Sequence, residues 1–152
     1  MGETLNKQLD ALNCQYKFFD MIYHKLATKF SISDSELIIL YEIYTSNKVL
    51  SQKDLCTLYC ISKQTINSSI KKLQNNGYII LKNLPNSKHK NIILTDTGKI
   101  FCDNTISKVI EIEKKSLECL SDTQREALIT VTDLYLKNLN INADNFIKED
   151  LI

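Results

Sequence analysis

The 152-residue chain is 43% hydrophobic and 24% charged, and it contains only three glycines and one proline. This is a globular composition rather than a disordered or fibrous one, and the scarcity of helix breakers favours long helices in a single domain. No run approaches the roughly 18 apolar residues of a membrane span, and the polar first ten residues lack the apolar core of a signal peptide. We therefore expect a cytoplasmic protein without a membrane partner.

The net charge of +1 conceals an asymmetry along the chain. Residues 61–99 hold seven lysines against a single acid, Asp96, which gives this stretch +6 and leaves −5 for the remainder. A basic middle within an acidic frame is typical of a local contact with a polyanion.

The first segment carries apolar residues at alternating steps of four and three positions, which predicts one long helix over residues 5–30. A stripe this narrow favours packing against another long helix, belonging either to a second subunit or to the same chain. The stripe consists of Leu5, Leu9, Leu12, Tyr16, Phe19, Tyr23, Leu26 and Phe30.

Three helix starts follow in close succession. Ser33 to Glu36 has the form of a capping box, in which the two side chains satisfy free backbone N–H groups. A second start at Ser51 predicts a short helix to about Tyr59, and a third start follows at Ser62.

The helix predicted from Lys63 to Asn76 has two different faces. Ile66, Ile70 and Leu73 fall on one side, which we expect to face inward. The outward side combines short hydrogen-bonding residues with lysine, and Gly77 is expected to end the helix in the left-handed conformation. The outward positions are Gln64, Ser68, Lys71 and Asn75, with Asn67 and Lys72 on the shoulders.

Two β-rich runs, residues 78–84 and 90–94, surround a polar loop at residues 85–89 and predict an antiparallel hairpin with a cationic tip. Thr95 is a plausible cap for one further helix carrying Phe101 to Leu120. Ser121 to Gln124 forms another capping box, and its helix is predicted to reach about Leu139.

Two short helices followed by a cationic hairpin predict a helix-turn-helix with a wing. A major groove accepts one helix, whose outward residues near the N-terminus reach base edges, while lysines nearer its end meet phosphates. The wing tip is expected to reach the backbone or the minor groove. The candidate DNA contacts are Ser62, Lys63, Gln64, Thr65, Asn67, Ser68, Lys71, Lys72, Lys88, His89 and Lys90.

From about Leu5 to Leu139 the sequence resembles the MarR family of winged-helix regulators. The sharpest part runs from Ser62 to Gly98 and ends in Leu94-Thr95-Asp96-Thr97-Gly98, which resembles the family's Leu-Thr-x-x-Gly. The resemblance implies a mainly α fold with a small antiparallel β wing, flanked by long N- and C-terminal dimerisation helices. It also implies a crevice in which some members bind aromatic acids.

The wing departs from the family pattern of Asp-x-Arg followed four residues later by an aliphatic residue. These positions are Asn86, Lys88 and Ile92 here. Lysine cannot form the bidentate fork of arginine, and asparagine cannot form an ion pair with it. The wing is therefore expected to be less ordered, and a minor-groove contact by Lys88 is less strongly indicated than the contacts from the helix.

Five cysteines, an odd number without an export signal, predict reduced thiols. Some family members sense peroxide through a cysteine in the first helix, but Asp10 occupies that position here and Cys14 lies one turn later. Cys14 is thus a candidate redox sensor, with an inert buried thiol as the favoured alternative. Cys56 and Cys60 lack further ligands for zinc, and we expect neither metal nor cofactor.

These observations predict a single MarR-type domain over residues 1–152, with a DNA-binding lobe at 33–97 and dimerisation helices at 5–30 and 99–140. The expected function is that of a homodimeric transcriptional repressor on a pseudo-palindromic operator in double-stranded DNA. A small aromatic effector or an oxidant would modulate it. The alternative is a helical protein-interaction module without DNA binding. We expect no enzyme, since the only catalytic candidate is Cys14 with His24, and nothing in the sequence orients that histidine.

Overall fold

The computed structural model describes residues 2–59, 61–83 and 90–149. Seven helices and three short strands make up this part of the chain, which confirms the predicted mainly α fold with a small antiparallel sheet. In chain order they are α1 (Gly2–Lys29), α2 (Asp34–Thr45), β1 (Leu50–Ser51), α3 (Gln52–Tyr59), α4 (Lys63–Asn75), β2 (Ile79–Lys82), β3 (Asn91–Leu94), α5 (Asp96–Asn104), α6 (Ile106–Glu118) and α7 (Asp122–Glu149).

The chain divides into two compact units, residues 1–109 and 110–152. The first contains α1 to α5, the sheet and the first turn of α6. The second contains the rest of α6 and α7. No described helix is long and apolar enough to cross a membrane.

The helix starts follow the local capping signals in the sequence. The Ser33 hydroxyl accepts a hydrogen bond from the Glu36 amide, while the Glu36 carboxylate accepts one from the Ser33 amide at 2.9 Å. Ser51 and Asp54 form the equivalent reciprocal pair before α3. At α7, Ser121 and Gln124 do the same. The capping boxes predicted at Ser33 and Ser121 are therefore confirmed, as is the predicted start of α3.

The sheet has the strand order β1-β3-β2, and both pairings are antiparallel. Ile79 lies opposite Leu94 in the hairpin, and Leu50 of β1 lies opposite Ile92. The predicted hairpin is confirmed, with shorter strands than expected. The third strand, β1, was not predicted, because a two-residue segment has no periodicity to detect. The predicted loop at 85–89 lies outside the described residues.

The core of the first unit is formed where α4 and the sheet meet α2, α3 and α5. Gly77 follows α4 at φ +73°, the left-handed conformation expected for it. Its turn leads directly into β2 and thereby sets the position of the hairpin relative to α4. The largest fully buried side chains are Ile39, Leu40, Leu55, Ile66, Ile70, Leu73, Ile79, Ile92, Cys102, Ile106 and Val109.

The single helix predicted after Thr95 is wrong, because Thr105 divides it into α5 and α6. Thr105 adopts φ −127° and ψ −67°, outside the helical range. Its hydroxyl donates to the Phe101 carbonyl at 2.7 Å and its amide donates to the Cys102 carbonyl. Side-chain bonds of this kind to the preceding turn compete with regular helix geometry.

In the second unit, helix α7 exposes many large apolar side chains. α7 extends ten residues beyond the predicted end at about Leu139, and none of its residues is buried. Its exposed large apolar side chains are Leu128, Ile129, Val131, Leu134, Leu136, Leu139, Ile141, Phe146 and Ile147.

Candidate nucleic-acid interface

One side of α4 is anchored in the core of the first unit. Ile66, Ile70 and Leu73 are at most 1% exposed, which confirms the inward face expected from the sequence. Ser69 is also buried, and its hydroxyl shares a 2.8 Å hydrogen bond with the hydroxyl of Ser35 on α2. This bond satisfies a polar group that would otherwise be costly to bury and fixes α4 against α2.

The opposite side of α4 is exposed along its whole length. Gln64 and Ser68 lie near the N-terminal end, where an inserted helix meets base edges, and two lysines follow one to two turns later. The positions expected to face outward are thus exposed, while their contacts with DNA stay a prediction. The exposed members of the predicted site on α4 and its cap are Ser62, Lys63, Gln64, Thr65, Ser68, Lys71 and Lys72.

The first turn of α4 is held by its own hydroxyl groups. The Ser62 hydroxyl accepts from the Thr65 amide at 3.1 Å and lies 2.8 Å from the Thr65 hydroxyl. The Ser68 hydroxyl donates to the Thr65 carbonyl at 3.3 Å. The hydroxyls of Ser62 and Thr65 therefore serve the helix cap, a use that competes with their predicted contacts to bases.

Asn67 differs from the other predicted contacts because it is only half-exposed. Its side-chain carbonyl accepts a hydrogen bond of 2.9 Å from the side-chain amide of Gln52, the first residue of α3. The sequence reasoning missed Gln52, since a contact across 15 positions between two helices leaves no local pattern.

A cationic recess, which we call the lysine pocket, opens beside this contact. It has a volume of about 330 Å³ and is lined by Gln52, Cys56 and three lysines that are far apart in the sequence. These are Lys53 of α3, Lys63 of α4 and Lys90, which precedes β3. Three lysines beside one recess make its surroundings positive, which favours an anionic occupant. Lys53 was absent from the predicted site because it lies outside the basic stretch at 61–99.

Only the base of the predicted wing lies within the described residues. Lys90 is exposed, and Ile92 is buried in β3, where it joins the hairpin to the core. Lys88 and His89 lie outside the described residues, as does Asn86, so their predicted roles stay predictions.

The cysteines differ in exposure. The expectation that Cys14 is buried is wrong for the single chain, in which Cys14 is exposed. The only buried residue of α1 is Ala27, near the other end of the helix. Cys56 is half-exposed and Cys60 lies outside the described residues. Cys102 is buried, and burial together with the nearby Asp103 charge raises its pKa to about 12. It therefore stays a thiol at neutral pH.

The sequence reasoning also missed the partner of His24. The Nδ1 atom of His24 lies 3.0 Å from the Asp34 carboxylate, so this histidine is oriented after all. Cys14 nevertheless lies ten residues away on the same helix, roughly 15 Å along its axis, too far for direct proton transfer. Within the described ranges, no three His, Cys, Asp or Glu side chains are grouped as metal ligands would be.

Comparisons with known proteins agree with this geometry. Residues 30–88 match the model of the MarR family. No curated protein sequence gives a significant match to the chain.

Many solved structures share the fold. A MarR family regulator from Neisseria meningitidis is 19% identical, with 91% of this chain and 97% of that chain covered and a TM-score of 0.77. A MepR–DNA complex from S. aureus is 18% identical, with 85% of this chain and 94% of that chain covered and a TM-score of 0.71. MarR from the same organism, in complex with salicylate and kanamycin, is 18% identical, with 88% of this chain and 91% of that chain covered and a TM-score of 0.70. The family model over residues 30–88 and the winged-helix fold shared over most of the chain therefore confirm the predicted resemblance to the MarR family of transcriptional regulators.

Proposed function

We propose that the chain is a sequence-specific DNA-binding transcriptional regulator that works as a homodimer, with residues 33–97 as its DNA-binding lobe. The observation that carries the proposal is the two-sided construction of α4. Its isoleucines and Leu73 are buried, while amide, hydroxyl and ammonium groups cover the opposite side. A helix built in this way fits a major groove without disturbing the core that holds it.

The lysine pocket supports the same function. Backbone phosphates flank the major groove, so a helix inserted there brings neighbouring cations close to phosphate oxygens. Lys53, Lys63 and Lys90 line one recess beside the N-terminal end of α4. The site therefore combines groups suited to base edges with groups suited to the sugar–phosphate backbone, and a solved relative of the same fold is itself a DNA complex.

The apolar faces of the long helices support the homodimer. Phe19 and Leu5 on α1 are more than 60% exposed in the single chain, as are Ile129 and Val131 on α7. Apolar area of this extent rarely stays open to water in soluble proteins. We propose that residues 5–30 and 99–140 pair with a second copy, so that two α4 helices enter successive major grooves about one turn of DNA apart.

Regulation by a small ligand belongs to the same proposal. A structural relative holds salicylate, and we propose that an aromatic acid or an oxidant releases this chain from a pseudo-palindromic operator as a repressor. Cys14 is the candidate for the oxidant, because its thiol is exposed in the single chain.

The test is selection of bound sequences from a random duplex pool, repeated with salicylate and with peroxide, followed by binding at several salt concentrations. The combined change Gln64→Ala and Asn67→Ala should relax sequence preference. Lys71→Ala and Lys72→Ala should instead weaken binding to all duplexes, and each lost phosphate contact should lower the salt slope by about 0.9.

Lys7→Ala provides the matched control. It removes the same charge from α1, where Lys7 pairs with Glu3, and it should change neither sequence preference nor the salt slope. Unchanged preference after the double change on α4 would contradict the proposed reading face. A chain that retains no duplex at low salt would favour a protein-interaction module instead.

A further inference from the structure

We propose that Gln52 is a positioning residue for base recognition, which holds the side chain of Asn67 so that its NH₂ group, rather than its carbonyl, faces the DNA. This inference rests on the proposed function and deepens it, because it assigns part of the sequence preference to a residue on the preceding helix.

The geometry of the contact is the first support. The Gln52 side-chain nitrogen lies 2.9 Å from the Asn67 side-chain oxygen, a normal hydrogen-bond distance, and both side chains are half-buried between α3 and α4. A hydrogen bond shielded from water in this way is stronger than one on an open surface. It therefore restricts the rotation of the Asn67 amide.

Gln52 itself stands on a rigid support. Immediately before it, the amide and hydroxyl of Ser51 donate to the Asp54 carboxylate at 2.8 and 2.7 Å, which fixes the first turn of α3. Ser51 also pairs with Asn91 in the sheet, and Leu55 on α3 is completely buried. A side chain can orient another side chain only if its own backbone is held in place in this way.

The location of Gln52 is the second support. It lines the lysine pocket together with Lys53, Lys63 and Lys90, so it belongs to the surface where we place DNA phosphates. Gln52 thus lies between the part of the site suited to phosphates and the part suited to bases, where the position of a side chain affects recognition.

The chemistry of the amide gives the inference its direction. An asparagine pairs with adenine through both groups, since its carbonyl accepts from N6 and its NH₂ donates to N7. The bond from Gln52 uses one lone pair of the Asn67 carbonyl oxygen and holds that oxygen toward α3, so the group left facing the duplex is the NH₂ with its two N–H donors. These donors suit an edge that offers acceptors, namely O6 and N7 of guanine or O4 of thymine. The pair therefore favours guanine or thymine at the contacted position, and an unrestrained Asn67 would recover adenine.

The test compares the full-length wild type, Gln52→Leu, Asn67→Ala and the double variant on the selected operator and on all its single base-pair substitutions. Gln52→Leu should shift preference toward adenine by about tenfold at the base pair where Asn67→Ala removes preference, with an unchanged salt slope. In the double variant, the loss of Gln52 should add nothing, because the group that it positions is gone.

Two further variants distinguish positioning from a general effect on the fold. Gln52→Glu keeps the length but offers only acceptors, so the Asn67 NH₂ should turn toward α3 and its carbonyl toward the DNA, which favours the amino groups of adenine or cytosine. Gln74→Ala changes an exposed glutamine about two turns further along the same shoulder of α4 and should leave base preference unchanged.

Additive effects of Gln52→Leu and Asn67→Ala, or a Gln52→Leu variant with wild-type preference and wild-type thermal stability, would overturn the inference while leaving the proposed function intact. If Gln52→Leu does not fold, Gln52→Glu decides alone: unaltered base preference in that variant overturns the inference. A wild type without any base preference would contradict the proposed function and this inference with it.

Discussion

Gly98 lies so close to Tyr78 that a Cβ atom at position 98 would be 1.9 Å from the Tyr78 carbonyl oxygen. The same carbonyl accepts the amide of Thr95 at 3.0 Å, and the Thr95 hydroxyl donates to the Gly77 carbonyl at 2.5 Å. Stacking of Tyr78 on Phe101, with ring centroids 4.3 Å apart, adds a further contact. Through Thr95 and Gly98, the Leu-Thr-x-x-Gly sequence thus packs and hydrogen-bonds the end of the hairpin against the turn that follows α4.

Gly98→Ala should therefore destabilise the fold. The added methyl group meets backbone that cannot move without breaking the Thr95 hydrogen bond, and overpacking of this kind costs about 1–3 kcal/mol. Urea unfolding followed by circular dichroism measures the loss. Gly2→Ala is the control, because a Cβ there meets nothing within 4 Å and its stability should stay at the wild-type value. Equal midpoints for the two variants would contradict the close approach.

Lys53→Ala should weaken binding to every duplex by a similar factor and lower the salt slope by about 0.9, as expected for the loss of one phosphate contact. Filter binding at salt concentrations from about 50 to 200 mM measures both the affinity and the salt slope. Lys115→Ala removes an equal charge from a lysine paired with Glu111 in the second unit and should leave the slope unchanged. A selective loss for one sequence would instead indicate that Lys53 reads bases.

Ile70→Ala should cost about 2–5 kcal/mol, because it leaves a cavity beneath the proposed reading face of α4. Ile70 is 1% exposed, whereas Leu58 on α3 is 57% exposed and lies outside the segments proposed to pair with a second copy. Leu58→Ala is therefore the control and should change the free energy of unfolding by less than about 0.5 kcal/mol. Chemical denaturation of both variants measures the difference, and similar losses would place Ile70 outside the core.

The stability of the fold should fall as the pH rises above about 9. The unfolded Cys102 thiol ionises near its ordinary pKa of 9.0, whereas burial and the Asp103 charge raise its folded pKa to about 12. The stabilisation is complete below pH 9 and is lost as the pH rises from there through the folded pKa, because over this range the unfolded state has released the proton and the folded state still binds it.

Two tyrosines act in the same direction. Burial and the hydrogen bond to Glu42 raise the pKa of Tyr59, and the hydrogen bond to Asp103 raises that of Tyr44. Urea midpoints from pH 7 to 11 measure the decline. Cys102→Ala should make the decline shallower and Cys119→Ala, at an exposed position, should not. An identical decline in wild type and Cys102→Ala would contradict the buried thiol.

Leu9→Glu on α1 should shift the chain from dimer to monomer without loss of helix content. Leu9 is 47% exposed in the single chain, and a carboxylate there would be costly to bury between two subunits. Sedimentation equilibrium measures the mass, and Asn6→Glu, a nearby exposed position outside the apolar stripe, is the control. A wild type that is already monomeric, or a Leu9→Glu variant that stays dimeric, would contradict pairing through this stripe.

Local signals made much of the fold predictable. The helix starts at Ser33 and Ser121 depend on side chains three residues apart, and the inward face of α4 depends on spacing within one helix. Both kinds of pattern are complete within a short window of sequence, so they survive without knowledge of the tertiary structure.

The features that were missed depend on contacts between distant residues or on competition within one helix. Gln52 contacts Asn67 only after α3 and α4 pack, and β1 exists only because β3 is available as its partner. At Thr105, a hydroxyl bond to the preceding turn interrupts a helix whose apolar spacing continues undisturbed. Cys14 was placed in an apolar setting that the single chain does not provide.

The two-residue strand β1 also protects the molecule from a common hazard of small sheets. Because β1 pairs with one side of β3 and β2 with the other, residues 91–92 of the central strand have a partner on both sides. The outer rim left there is two residues long, too short to recruit a strand from another molecule. Self-association by strand addition is thereby disfavoured on that side, in a protein whose helices present so much apolar surface.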